Sequence, residues 1–340
     1  MKIRFVFAVA VLMLLSLFSS CRKDRYKVNT SSIDVNIEIK RLEKDLFILN
    51  PDEIAVNLPS LKNKYSGFLQ MFSNVINTGD INEPSFADFL VRFCTDRVNN
   101  EAYAAVMKLY PDISSVESDL EEAFRHYLYY LPDRRVPSVY TCISGFNNSI
   151  IAGDSALGIS LDRYLGADSE FYRRLDIYKY ISSRMTPENI VPDAIYGWGA
   201  SDWDFSIIGY PAENVLSRMI HAGKLKYFEK CMLPRTSDEI IHGFTASQLA
   251  FCINNEEQMW TYIVENDLLF SSDQFTIRKL VEEAPFTSYF TGESPGRAAV
   301  WIGFRIVESY MGKNKDVSLE DLMAEKDFQK ILELARYDPH

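Results

Sequence analysis

The chain has 340 residues, 47% hydrophobic and 13% aromatic, with only 15 glycines. It can bury one large core or two modest ones, and it is neither fibrous nor disordered. The formal net charge is −11, and basic residues cluster only in the short stretch RKDRYK, which disfavours nucleic acid as a partner because phosphate neutralisation needs clustered Lys and Arg.

The first residues read as an export signal. MKIR is positive, FVFAVAVLMLLSLF is an apolar run too short to cross a bilayer comfortably, and SSC brings small residues up to Cys21. This layout predicts a bacterial lipoprotein signal peptide over residues 1–20, with Phe18 standing where Leu is usual; plain secretion and an uncleaved anchor are the alternatives. Acylated Cys21 then tethers the protein to a membrane without spanning it, each buried methylene contributing about 0.8 kcal/mol. Residues 21–32 comprise that cysteine and a polar, aperiodic tether, and residues 33–340 read as a single domain.

Within the domain, IDVNIEIK alternates Ile33, Val35, Ile37 and Ile39 with polar neighbours, the period of a half-buried strand. RLEKDLFIL turns helical. From Pro59 to about Leu131 apolar residues recur at three- and four-residue spacing, and proline pairs punctuate the helices. PSVYTCISGF, SIIAGD and ALGISLDRYLG then read as an antiparallel meander of three short strands, with Asn147-Asn148 tolerating positive φ at the first turn. The remainder is mostly helical, and its last helix is opened by Ser318 with Asp321 three residues on, close to a capping box. The expected fold class is α+β, predominantly helical, with the small meander packed against helices.

Candidate chemistry is sparse. The histidines are His126, His221, His242 and His340, no two of them at i and i+4, so a helical HExxH zinc site is excluded. His221 and His242 lie on separate predicted helices, and no third ligand accompanies them. G-x-S-x-G, GxGxxG and GxxxxGK[ST] are all absent. No catalytic residue, metal ligand or cofactor is assigned. The best binding surface is VPDAIYGWGASDWDFSIIGYP, read as a Pro/Trp/Asp-rich segment. Trp198, Trp203 and Tyr210 offer flat faces, Asp202 and Asp204 offer acceptors, and His221 stands nearby as part of a remodelled cleft. The competing reading makes it a surface loop whose aromatics plug the core. Cys94, Cys142, Cys231 and Cys252 read as small buried residues; were a disulfide to form, Cys231–Cys252 is the pair nearest in sequence.

Three stretches carry a family resemblance. IDVNIEIKRLEKDLF, with Arg41, Leu46 and Phe47, resembles the opening of the gliding motility-associated lipoproteins called GldB, found in Bacteroidota. YTCISGFNNSIIAGDSALGISLDRYLG resembles their central region, through Gly145-Phe146-Asn147, Leu161-Asp162 and Tyr164-Leu165-Gly166. PFTSYFTGESPGRAAVWIGFRIVESYM resembles their C-terminal motif, through Pro295-Gly296-Arg297 and Trp301-Ile302-Gly303. That group is in turn similar to predicted zinc metallopeptidases, which implies a zincin-like scaffold. In MIHAGKLKYF, Ala222 stands before Gly223 where those enzymes would offer a glutamate ligand.

The expectation is therefore a non-catalytic cell-envelope lipoprotein held at Cys21, on the outer membrane facing the periplasm. The resemblance implies an association with gliding motility machinery and a peptidase-like scaffold that binds a protein or peptide partner. The rivals are a divergent metal-dependent hydrolase using His221, His242 and Asp202 or Asp204, and a ligand- or glycan-binding lipoprotein using Trp198 and Trp203.

Overall fold

A computed structural model describes residues 25–153, 155–209 and 213–339. The segment from Ile33 to Ile39 is extended. Val35, Ile37 and Ile39 are buried and Asp34, Asn36 and Glu38 exposed, as the alternation predicts. Its backbone, however, pairs with side chains: the Ile37 N–H donates to Glu121 Oε1 at 3.1 Å and the Ile39 N–H to Glu117 Oε1 at 2.9 Å. Two helix carboxylates thus satisfy donors that a neighbouring strand would otherwise take. Ladder pairing starts only at β1, Lys40–Arg41.

Helices α1 (Leu42–Phe47), α2 (Pro51–Val75), α3 (Phe86–Thr95), α4 (Arg97–Leu109) and α5 (Ser114–Tyr130) follow. α2 opens on a capping box between Asn50 and Glu53, with Pro51 at its first position, where the missing N–H is no loss. Its backbone breaks at Ser66, where φ is 40°.

The strands β2 (Ser138–Cys142), β3 (Ile150–Gly153) and β4 (Ala156–Ser160) correct the expected meander. The sheet order is β1-β2-β4-β3; β2 runs parallel to both β1 and β4, and only the β3/β4 pair is antiparallel. β4 is buried at all five positions and β2 at four of five, the mark of strands covered on both faces. Phe68 of α2 stacks on Tyr140 with centroids 4.4 Å apart and lies over Gly158, where a Cβ would meet the ring at 2.3 Å. The turn after β2 also differs from expectation. Positive φ falls on Gly145 (67°) and Phe146 (63°), not on the two asparagines. Asp162, in the 3-10 turn that follows β4, accepts the N–H groups of Ser144 and Phe146 (2.6 Å for the latter) and so fixes that turn. Burial pushes the Asp162 carboxyl up to about 6, against the lowering effect of those N–H groups.

The second half is helical: α6 (Glu170–Arg174), α7 (Lys179–Ser182), α8 (Ile190–Asp202), α9 (Phe205–Ile208), α10 (Val215–Met232), α11 (Asp238–His242), α12 (Ala246–Asn254), α13 (Glu256–Glu265), α14 (Gln274–Val281), α15 (Ala298–Lys313), α16 (Leu319–Ala324) and α17 (Phe328–Ala335). A small core joins α1, α2 and α3 to one side of the sheet, and a larger one surrounds α10. The sequence gives α10 an apolar stripe of Leu216, Met219, Ile220, Gly223 and Tyr227; the helix is instead buried around nearly its whole circumference. It crosses α15 at two glycines. A Cβ on Gly223 would stand 2.3 Å from the Gly303 carbonyl carbon, and one on Gly303 would stand 2.0 Å from the Met219 carbonyl oxygen. Backbone meets backbone there, and only glycine fits.

Gly223→Ala and Gly303→Ala should therefore each destabilise the protein by about 1–3 kcal/mol or more, because the clash is with rigid main chain. Gly67→Ala, in α2 with nothing within 4 Å of its new methyl, is expected to be neutral or to gain about 0.5–1 kcal/mol. Urea unfolding of the three variants checks the contrast.

Candidate functional site

The expected cleft residues are distributed over a packed region. α8 carries helix through the segment read as a loop, and Trp198 (3% exposed) and Trp203 (5%) belong to the large core. Trp203 lies edge-on to Phe228 at 5.4 Å, with the Arg134 guanidinium over its face at 5.3 Å. The indoles plug the core, as the competing reading had it. Asp202 accepts from the Tyr127 hydroxyl at 3.1 Å and pairs with Arg134 at 3.5 Å; burial raises its carboxyl above the usual range. Asp204 accepts the Ser206 hydroxyl and N–H and so caps α9, and these bonds hold its carboxyl below the usual range. Tyr210 lies outside the described residues.

His221 is buried, its ring 5.2 Å from that of Phe205. Burial, helped by the nearby charges of Lys224 and Arg218, depresses the imidazole to about 3. His242 lies between Phe244 and Phe304, and burial depresses it well below the usual histidine range. Among the described residues, no three His, Cys, Asp or Glu side chains are grouped so as to hold a metal. Cys94, Cys142, Cys231 and Cys252 are buried free thiols, and Cys231 is not bonded to Cys252; burial pushes Cys94 and Cys252 up to about 12 and raises Cys142 and Cys231 as well.

Two other features emerge. The first is a charge cluster that ties α8, α10 and α15 together, buried at Lys226 and Glu229 and reaching the surface at Glu283. Lys226 donates to Glu229 Oε2 at 2.7 Å and to the Ile241 carbonyl at 2.5 Å, and its ammonium lies 4.4 Å from the Tyr196 ring centroid. Arg184 bridges Asp193 and Glu283, each at 3.1 Å, and Arg297 pairs with Glu283 at 3.2 Å while donating to the His242 carbonyl. Tyr164 closes the set by donating to Asp193 at 3.0 Å. Cations and carboxylates match in number here, and the buried Lys226 ammonium and Glu229 carboxylate compensate one another directly.

The second feature is an open groove of about 760 Å³ between the end of α4, the first half of α5, the start of α8 and the α10–α11 turn. Val116, Ile190, Val191, Met232, Leu233 and Ile240 line it with apolar surface. Asp112, Asp119, Glu122 and Glu188 rim it with four carboxylates against one cation, Arg235, which pairs with Glu122 at 3.0 Å. Asp112 is held by the Ser114 N–H and hydroxyl, which lower its carboxyl. Sequence reasoning placed these residues on helices and turns but could not bring them together, because residues 109–123 meet residues 187–192 and 232–240 only through the fold. An apolar floor with an acidic rim suits a segment that is itself partly apolar and basic.

The chain belongs to the gliding motility protein GldB family, whose sequence profile matches residues 23–339. No curated protein and no solved structure matches it, and the likeness to zinc peptidases draws no support from these comparisons.

Removing Lys226 alone leaves Glu229 buried and unpaired, so Lys226→Met should cost about 3–5 kcal/mol, and Lys226→Met with Glu229→Leu should recover most of that loss; chemical denaturation of both checks it. Acid supplies a further test. A folded imidazole near 3 against 6.5 unfolded means that the unfolded chain binds more protons between those values. The contribution of His221 is thus complete above pH 6.5 and is lost as pH falls toward 3. His221→Gln should remove up to about 1.4 kcal/mol per pH unit from the stability slope in that window, measured by denaturation at stepped pH.

Proposed function

We propose that this GldB-family chain is a cell-envelope lipoprotein, anchored through Cys21, that acts by binding and not by catalysis. It presents the acid-rimmed groove to a basic, partly apolar segment of another envelope protein. The family supports the association with gliding motility and the lipoprotein character. Among the described residues no helix is long and apolar enough to cross a membrane; acyl chains on Cys21 would supply the attachment. We place the anchor in the outer membrane, facing the periplasm.

The observation that carries the binding reading is the groove itself. On its floor Val116, Leu233 and Ile240 keep apolar surface that a partner would remove from water, at roughly 25 cal/mol per Å², over the already buried Ile190, Val191 and Met232. Its rim holds more acid than base, so charge sets which partner enters and how fast, while the floor sets how long it stays. Asp119 and Glu188 are exposed, and among the described residues neither is paired with a buried cation. They can act on a partner without a cost to stability.

A photo-crosslinking residue placed at Val116 or Leu233 in living cells should give discrete protein adducts, and the same probe at exposed Ile48, in the small-core half, should not. Asp119→Lys with Glu188→Lys should abolish the groove adducts while the protein accumulates normally. Adducts that persist through this charge reversal, or none from either groove position, overturn the reading.

A further inference from the structure

The chain enters the fold at a clamp. Arg25 Nη1 donates to the Glu308 carbonyl at 2.7 Å, and the buried Tyr26 donates its hydroxyl to Glu308 Oε1 at 2.6 Å, its ring 5.5 Å from that of Tyr227. The Glu308 carboxylate is held from its other side by Arg305 Nη1 at 2.6 Å, and Arg305 also pairs with Glu256, which accepts the Tyr337 hydroxyl at 2.7 Å. Residues 25 and 26, read from the sequence as part of a free tether, are thus fastened to α15 and to the C-terminal segment.

Beside the clamp lies an open hollow of about 870 Å³. Arg25, Lys313, Lys315 and Arg336 are all exposed at its edge, with Asp338 among them. Glu256 and Glu308, the other acids of the hollow, are engaged with Arg305 and with tyrosine hydroxyls. Lys313 donates to the last carbonyls of α17, at Ala335 (2.7 Å) and Arg336 (2.8 Å), which fixes its position on the rim. On a chain of net charge −11 this is a concentrated positive face.

Only four peptide links separate Cys21 from Arg25, a reach of at most ~14 Å when fully extended. A bilayer that holds acyl chains on Cys21 must therefore lie within that distance of the clamp, on whichever side the clamp faces. Resting on the Cys21 anchor proposed above, we infer that the face formed by Arg25, Lys313, Lys315 and Arg336 lies against the anionic phospholipid headgroups of the leaflet that holds the lipid chains. The long tether of the sequence reading becomes a short stalk, and the body is held in one orientation by charge as well as by length. The attraction falls off within a Debye length, so it operates only because the stalk is short.

The test uses the full-length acylated protein in vesicles of phosphatidylglycerol and phosphatidylcholine that carry a headgroup nitroxide. Because the native thiols other than Cys21 are buried, a cysteine introduced at Asp316, next to the patch, or at Lys62, on α2, is the reactive one for a fluorophore. Quenching at Asp316→Cys is expected to exceed that at Lys62→Cys several-fold, and Lys315→Glu with Arg336→Glu, or vesicles of phosphatidylcholine alone, should remove most of the difference. Equal quenching at the two positions, on protein that carries acyl label and floats with the vesicles, overturns this inference alone. Absence of acyl label from the wild-type chain overturns the anchor, and this inference with it.

Discussion

The contact on which the rest of the large core depends is the crossing of α10 and α15 at Gly223 and Gly303. Because neither residue carries a Cβ, the two backbones approach to a distance that any other residue would forbid, and α10 sinks into the centre of the large core. A helix so placed has no solvent face. Its polar residues must then find partners inside, which is what Lys224, Lys226 and Glu229 do. The stretch MIHAGKLKYF, which by analogy with zinc peptidases reads as a helix emptied of a ligand at Ala222, has a packing explanation of its own. Gly223 is where the neighbouring helix crosses.

The buried cations of α10 extend that crossing to the rest of the domain. Lys224 reaches the carbonyls of Met323 and Glu325 at 2.9 and 2.8 Å, closing the C-terminal end of α16, and Phe328 at the start of α17 lies 5.5 Å beneath its ammonium. Burial draws that lysine down to about 7. On the same helix Lys226 and Glu229 join the cluster of Arg184, Asp193, Glu283 and Arg297. An equally well-packed apolar set would be as stable or more so. What the charged set adds is a penalty for misregister, because a slipped packing would strand the buried Lys226 or Glu229 without its partner.

Much of this was legible in the sequence, and the failures have physical causes. The alternation over 33–39 correctly gave the buried residues, because burial depends on side-chain period alone; it could not show that the backbone partners are Glu117 and Glu121, far along the chain. The capping box at Ser318 and Asp321 is local, and it formed as read. The meander failed because β2 and β4 are covered on both faces, so their sequence carries no period that distinguishes parallel from antiparallel neighbours. α8 was missed because Pro192, Gly197 and Gly199 look like breakers. In fact Pro192 stands in the first turn, where an N–H has no intrahelical partner, Gly197 makes room for Ile150, and Gly199 makes room for Phe228. The groove left no local trace at all.

The stretches that carry the family resemblance are occupied with architecture. Asp162 holds the Gly145-Phe146 turn, Tyr164 and Arg297 belong to the charge cluster, and Gly303 makes the helix crossing. Residues so committed cannot also vary to fit a partner, which leaves recognition to exposed surface. There the chain divides its charge: an acid-rimmed groove against Val116 and Leu233, and a base-rimmed hollow around the entry clamp. Near an anionic leaflet the two are driven in opposite directions, the hollow toward the headgroups and the groove away from them. With the anchor at Cys21 proposed above, a stalk of four peptide links would keep the body within range of that field, where a longer one would let it tumble.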